Sequence, residues 1–512
     1  MNNANDIPTA ALEAFKESLS PQAKVITRAD PGYQESIVRW ADNAIKPAGL
    51  VVQVASAQDV SETVRFLTWF PVQLFISYLS IERENVGDVY SSSHTILNFT
   101  FQIKFAVARH IPLVVKCGGH STNGHSSTNG GIVIDLHQLR DVAVDAERKL
   151  IVSGGGALWR DVDVAAAEKG LATVGGTVNH TGVGGLTLGG GYGFLSGQHG
   201  LTIDNLVEAE IVLADGSIHT IDENRMPDLF WAIRGAGNKF GCVTKVRLLA
   251  GRAVFTYKAH DIPDKVWGGM LVYPPNQLNA LVEASEELVQ KGHSKSACLL
   301  AIARGPDGNP VIIIVPFYQG PESEAQAVFS GFLSLPYVVS TVQMRPYSDM
   351  NGLSNDAAPF GGRKMFTDAN IHHMRPATFR EAFNSFVQFT GPATEGSVPG
   401  TSKSSIFVLA VPTAAIEARP KDSTAFAFRD PLIDVTIMST WEDPKNDPKD
   451  DAKVSEWARS LQKIFLKDGN PNRMYYNHSD GSEDSVKEVG SNYERLRELK
   501  AKYDPHDVFR SL

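Results

Sequence analysis

The sequence predicts an α+β protein of two domains, and three observations carry that expectation. Up to about residue 253, short apolar runs alternate with stretches of helical period, so strands and helices take turns along the chain. Beyond it, proline-rich joints at Pro263, Pro274 and Pro275 open a region where strands and helices recur in a different order. Finally, 512 residues with 43% hydrophobic content suffice for more than one core.

The elements follow from local pattern. Leu50–Val54 reads as a short buried strand, and Ala57–Phe66 after it sets Val60, Val64 and Phe66 along a helix. Pro112–Lys116, Gly131–Leu136 and Leu150–Val152 are three more strands, and Leu158–Lys169 a helix. Val207–Leu213 enters the turn Ala214-Asp215-Gly216-Ser217 and returns through Ile218–Ile221 as a hairpin. In the second region a helix at Gln277–Lys291 precedes strands at Ala297–Arg304 and Val311–Phe317, and a helix at Thr378–Thr390 precedes a strand at Ile433–Trp441. That order suggests an antiparallel sheet covered by helices. Arg473–Asn477 reads as a strand and Asn492–Tyr503 as a helix, together returning to the first domain. The expected divisions are 1–253, 254–466 and 467–512.

One stretch breaks the pattern. Residues 67–104 show neither clear periodicity nor turn chemistry, and the helix before them would join smoothly to Ala106–His110. Near-duplicate triplets, Val64-Arg65-Phe66 and Ile103-Lys104-Phe105, stand at the borders. These features suggest an insertion, a translated intron or a recent insert; a functional lid is the alternative.

Charge and composition exclude several classes. A net charge of -9 and a pI near 5.9, with no Lys/Arg cluster, argue against a nucleic-acid surface. Cys117, Cys242 and Cys298 are too scattered for a disulfide framework or a metal site, and His120 and His125 have no ligand set around them, so no metal is expected. The apolar run Leu67–Ile81 is broken by Pro71 and Gln73 and is too short to span a bilayer. The polar, acidic start Met1–Ser18 lacks a secretory pattern, so the expectation is an intracellular, cytoplasmic monomer acting on a small molecule, with no membrane partner.

The chemistry is written in glycines. Lys116-Cys117-Gly118-Gly119-His120-Ser121 follows a strand directly, and its paired glycines let backbone N–H groups approach a ligand such as a pyrophosphate. A plain structural turn is the alternative for this motif alone. Between Gly175 and Gly197 ten further residues are glycine, so side chains are excluded along a whole surface. Gly191-Tyr192-Gly193 with Gly197, and Gly235-Ala236-Gly237 with Gly241, mimic a dinucleotide fingerprint. Neither stands in a strand-to-helix turn with an acidic residue about 20 positions on, which that motif requires.

In order along the chain, Trp40-Ala41-Asp42, the Gly118-Gly119-His120 motif, Gly182-Val183-Gly184-Gly185 and Gly189-Gly190-Gly191-Tyr192-Gly193 are followed by Gly200-Leu201-Thr202-Ile203-Asp204-Asn205, Asp228–Gly235, Asn492–Leu496 and Lys502–Pro505. This series resembles the berberine-bridge-enzyme-like branch of the vanillyl-alcohol-oxidase flavoproteins. The resemblance implies a two-lobed PCMH-type FAD-binding domain and a substrate domain whose sheet covers the isoalloxazine ring. It implies that FAD is bonded covalently to His120, whose neutral imidazole is nucleophilic near neutral pH; a histidine that only hydrogen-bonds FAD is the alternative. Relatives often add a bond from a cysteine; here Val178 takes that position, so His120 alone is expected to carry the link. Other expected cofactor contacts are Lys116, Cys117, Gly118, Gly119, Ser121, Gly124, His125, Thr181, Gly182, Gly184, Gly185, Gly190, Gly191, Tyr192, Gly193, Val243 and Asn477.

The same resemblance sets Tyr475 of Tyr475-Tyr476-Asn477 beside the reacting hydroxyl as catalytic base, provided that neighbours lower its ordinary pKa of about 10. On a strand, Tyr476 would face away. A buried structural role for Tyr475 is the alternative, and His478 stands where relatives often have another tyrosine. The implied reaction is hydride transfer from a small alcohol or secondary-metabolite intermediate to flavin N5, with oxygen or another acceptor taking the electrons. The alternative is a flavin-binding protein without turnover, its first lobe disrupted at 67–104. Tyr347, His372, His373, Arg429 and Trp441 are candidate substrate contacts in the second domain.

Overall fold

A computed structural model describes residues 4, 7–68, 111–244, 255–392, 394–395, 397–442, 447–479 and 489–509. Of the expected insertion at 67–104, residues 67 and 68 continue a helix covering 57–68, and the rest lies outside the described residues.

Among the described residues three larger sheets organise the fold, beside a two-stranded pairing of Leu171–Ala172 with His260–Asp261. The first has the order Lys24–Thr27, Leu50–Gln53, Ile132–Asp135, Leu113–Lys116. Its last three strands run parallel, and Ile132–Asp135 between two neighbours is buried throughout. The Cys117–His120 loop therefore leaves the end of a fixed parallel strand. The second sheet is antiparallel, ordered Cys242–Val243, Leu206–Val212, Phe255–Lys258, Leu150–Ser153, Val142–Asp145, with Ile218–Asp222 beside Leu206–Val212. Phe255–Lys258 thus sits inside this sheet although it follows the boundary expected at residue 253. Trp159–Ala167, Val183–Leu188 and Pro227–Ala236 are the helices packed in this lobe's core.

The third sheet has nine antiparallel strands, with the path Val339–Ser340, Leu271–Tyr273, Pro310–Tyr318, Ser296–Arg304, Ser405–Ala410, Ile433–Trp441, Arg363–Ile371. Alternation divides its side chains between two faces. Leu300, Ile302, Ile406, Val408, Val435 and Ile437 are buried with helices Leu278–Lys291, Pro376–Phe389 and Pro448–Leu466. Each such side chain contributes roughly 1.5–3 kcal/mol on burial. Leu299, Ala301, Phe407, Leu409, Asp434, Thr436 and Met438, of opposite parity, wall a cavity instead.

The C-terminal region corrects one expectation. Arg473–Asn477 forms no strand; Tyr476–His478 is a 3-10 turn, and two long-range hydrogen bonds hold the segment in place. Tyr475 N–H donates to Asp368, and Asn477 Nδ2 donates to Leu186 O. Strand alternation therefore does not apply, and both Tyr475 and Tyr476 reach the cavity wall. Helix Tyr493–Tyr503 docks on Pro227–Ala236, where Lys502 and Tyr503 both bond Asp228.

Candidate active site

A cavity of about 410 Å³ lies among the three sheets, and the two glycine clusters meet at its wall. A Cβ placed on Gly118 would lie 2.5 Å from Gly182 N, and one on Gly182 would lie 2.4 Å from Gly118 N and 2.5 Å from Cys117 Sγ. Only two glycines can cross at that distance. Gly119 adds a left-handed backbone, φ 71°, which turns the chain towards His120.

His120 is clamped. Its ring stacks on Trp40 with centroids 4.8 Å apart and meets Phe360 edge-on at 5.7 Å, while Nε2 lies 2.7 Å from Nδ1 of His180. Burial, then the neighbouring His180 and Lys364, pull its pKa down to about 3. The imidazole is therefore neutral over the physiological range. Among the described residues its Nδ1 makes no hydrogen bond.

At the other end of the cavity, Tyr475 Oη accepts N–H bonds from Gly191 at 3.1 Å and from Asn477 Nδ2 at 2.9 Å. These donors favour phenolate, yet burial outweighs them and raises the phenol above its ordinary value. The lowering that a tyrosine base requires is absent. His478 packs against Tyr475 at 4.8 Å, with Nδ1 2.8 Å from Thr436 Oγ1, and burial lowers its pKa to about 4. Asp434 also lines the wall; Arg473 grips its carboxylate at 2.8 Å and donates to Tyr192 Oη at 3.1 Å.

Of the expected cofactor residues, Cys117, Gly118, Gly119, His120, Ser121, His125, Val178, Thr181, Gly182, Gly184, Gly185, Tyr192, Val243 and Asn477 line the cavity. His125 stacks on Tyr476 at 5.1 Å, and its buried Nε2 has no partner among the described residues. Lys116, Gly124, Gly190, Gly191 and Gly193 stand behind the wall rather than on it. Lys116 pairs with Asp135 at 3.0 Å, Gly124 packs against Lys46, and Gly190 against Phe426. A Cβ on Gly191 or Gly193 would strike Thr202 Oγ1 at 2.2 Å or Gly175 O at 1.8 Å. Tyr347, His372, His373, Arg429 and Trp441 do not line the cavity. Arg429, for example, closes a buried pair with Asp204 at 2.7 Å, and Trp441 donates to Asp451 at 2.8 Å. No sequence motif marks His180, Asp434 or Thr436, all three of which stand at or beside this site.

Two family profiles match, one described as FAD binding domain over residues 101–222 and one as berberine and berberine like over residues 474–511. An FAD-linked oxidoreductase of Aspergillus terreus, pgmH, is 32% identical over 502 residues, 93% of this chain and 90% of the relative. The chain belongs to the berberine-bridge-like family of FAD-linked oxidoreductases. The (R)-6-hydroxynicotine oxidase of Paenarthrobacter nicotinovorans is 27% identical over 96% of both chains. Among solved structures, 6-hydroxy-D-nicotine oxidase from Arthrobacter nicotinovorans superimposes with a TM-score of 0.75 at 24% identity, covering 96% of this chain and 97% of its own. Xylooligosaccharide oxidase from Myceliophthora thermophila gives 0.74 at 20% identity, with 98% of each chain covered. This FAD-linked oxidoreductase shares their fold. No helix among its described residues is long and apolar enough to cross a membrane.

Proposed function

We propose that this oxidoreductase binds FAD in the Gly118–Gly182 cradle, carries it covalently on His120 alone, and oxidises a small, largely apolar alcohol. The observation that carries the reading is the Cβ-excluding approach of two glycine stretches beside a neutral histidine. The residues fit the group: bared backbone suits pyrophosphate, and the orphaned Nε2 of His125 on the same wall awaits a polar partner. Val178 packs as an apolar residue near Trp40 and offers no second nucleophile.

When bound, FAD supplies the two-electron step, accepting hydride from a substrate C–H and passing the pair to oxygen or another acceptor. The chain's residues do the rest. Leu299, Ala301, Phe407, Leu409 and Met438 form an apolar wall that shields the reacting carbon from water and favours a hydrocarbon or aromatic skeleton over a sugar. His478, neutral at working pH and at the wall, accepts the hydroxyl proton; Tyr475 orients that hydroxyl. Neutral imidazole suits the acceptor role better than a phenol whose pKa burial has raised.

Anaerobic mixing with a panel of benzylic and allylic alcohols, with oligosaccharides as comparison, tests the reading. Bleaching by the apolar alcohols supports it, and bleaching by the sugars alone refutes the substrate class. If no member of either set bleaches the flavin, the reading of turnover gives way to flavin binding without it. Peroxide release set against dye reduction then separates oxidase from dehydrogenase.

A further inference from the structure

We propose that His180 is the positioning residue for attachment of the flavin: it fixes the His120 tautomer that leaves Nδ1 nucleophilic and receives the proton that Nε2 gives up. The proposal rests on His120 as the linking residue.

The geometry is specific. His180 lies in the turn just before Gly182, where Asn355 of the second domain pins Asn179 through its side chain at 2.8 Å and Arg160 N–H donates to Asn179 O at 2.9 Å. The two imidazole centroids are 4.8 Å apart, and Phe360 packs against both rings. His120, sandwiched by Trp40, has little freedom to turn, so the proton arrangement decides which nitrogen can react.

Two imidazoles joined through a single nitrogen pair hold one proton between them. Two carbonyls, those of Ala358 and of His180 itself, favour a proton on the His180 ring, since a carbonyl only accepts. In the proposed arrangement a neutral His180 carries its one proton on Nε2 and offers Nδ1, 2.7 Å from His120 Nε2, as a lone pair. The shared proton belongs to His120 Nε2, which places a lone pair on His120 Nδ1. Burial and the nearby charge of Arg160 disfavour a protonated His180, as burial, His180 and Lys364 do for His120, so the neutral arrangement persists.

A bond forms from His120 Nδ1 to the 8α carbon of the flavin, one C–H bond of that methyl group breaks and its proton leaves. The electron pair of that C–H bond enters the flavin ring and passes to dioxygen. The imidazole becomes positive until Nε2–H moves to His180. Two protons and two electrons leave in all, converting dioxygen to hydrogen peroxide. Loss of a positioned proton acceptor typically costs about 10²–10⁴-fold.

The test adds FAD to flavin-depleted full-length protein and follows attachment by flavin fluorescence of the denatured polypeptide, with bound flavin measured separately after gel filtration. His180→Ala is expected to bind FAD but attach it at least about 10²-fold more slowly, and added imidazole to restore part of the rate. His180→Gln, which keeps an acceptor but takes up no proton, is expected to fall between. Attachment by both variants at the wild-type rate overturns the proposal, and so does equal slowing of both without rescue by imidazole. If His180→Ala fails to bind FAD, the His180→Gln and wild-type rates decide alone: equality overturns the proposal and an intermediate rate supports it. His120→Ala separates the two readings: if it still attaches flavin, or if wild type attaches none, the reading of His120 falls and takes this proposal with it.

Discussion

Replacing Gly118 by alanine tests the cradle with one methyl group. That methyl would stand 2.5 Å from Gly182 N and 2.9 Å from Gly182 Cα. Carbon contacts settle near 3.5–4.0 Å, so one backbone has to retreat by about 1 Å. The obstacle is space alone, since Gly118 does not have a left-handed backbone. Overpacking of this kind costs about 1–3 kcal/mol. The clash lies within the polypeptide, so it weakens the fold itself, and the part that a retreat of the cradle passes to the bound state lowers FAD affinity by up to about 150-fold. Gly185→Ala is the contrast, because a Cβ there meets nothing within 4 Å and the position lines the cavity. Titration of flavin-depleted protein with FAD, paired with thermal melting, reads both. Gly118→Ala should lower affinity and melting temperature together, whereas Gly185→Ala should weaken FAD without lowering the melting temperature of flavin-depleted protein. Undiminished affinity and melting for Gly118→Ala would show that the close crossing is not what shapes the site.

Other expectations follow from buried groups. His478→Gln should cut kcat by about 10²–10⁴-fold, and in the wild type kcat should be level through the neutral range and fall as pH drops towards about 4, where His478 protonates; a kcat unchanged in the variant counts against His478 as acceptor. Tyr475→Phe removes the acceptor of two N–H groups and should cost about 1–3 kcal/mol of stability by chemical denaturation. Burial lifts Asp163 to about 7 from 3.8, so between these values the folded state holds a proton that the unfolded state has released. Stability should therefore fall as pH rises through this window, by on the order of 4 kcal/mol, and level off above it. Asp163→Asn should abolish that slope and raise the melting temperature at pH above the window, since its amide can also donate to Asn351 Oδ1, which has no partner among the described residues. Arg429→Met leaves Asp204 buried and unpaired and should cost roughly 3–5 kcal/mol, read as a lower melting temperature.

The glycine stretches were legible because excluding side chains leaves a compositional mark, and Gly118-Gly119-His120 sits on a strand whose apolar run is equally plain. The helix-covered sheet was readable from Ala297–Arg304 and Ile433–Trp441, but periodicity does not say which parity faces helices and which faces the cavity. Asp434 and Thr436 therefore carry no sign in the sequence that they face the cavity. His180 carries no motif; it matters only because tertiary folding brings it 2.7 Å from His120, 60 positions away. Arg473–Asn477 has the aromatic composition of a strand, yet Asp368 and Leu186 O capture its backbone and side chain and bend it into a turn. Arg429 looked available for substrate on the same local reading, and a partner 225 residues earlier claims it.

Where the flavin ends up on the polypeptide tests the covalent link to His120 most directly. Trypsin should release Cys117–Arg140 as one peptide, and mass spectrometry of the purified holoprotein should find it heavier by one FAD, with fragment ions placing the addition on His120. An unmodified peptide from protein supplied with FAD, all of its flavin washing out on acid precipitation, would contradict it.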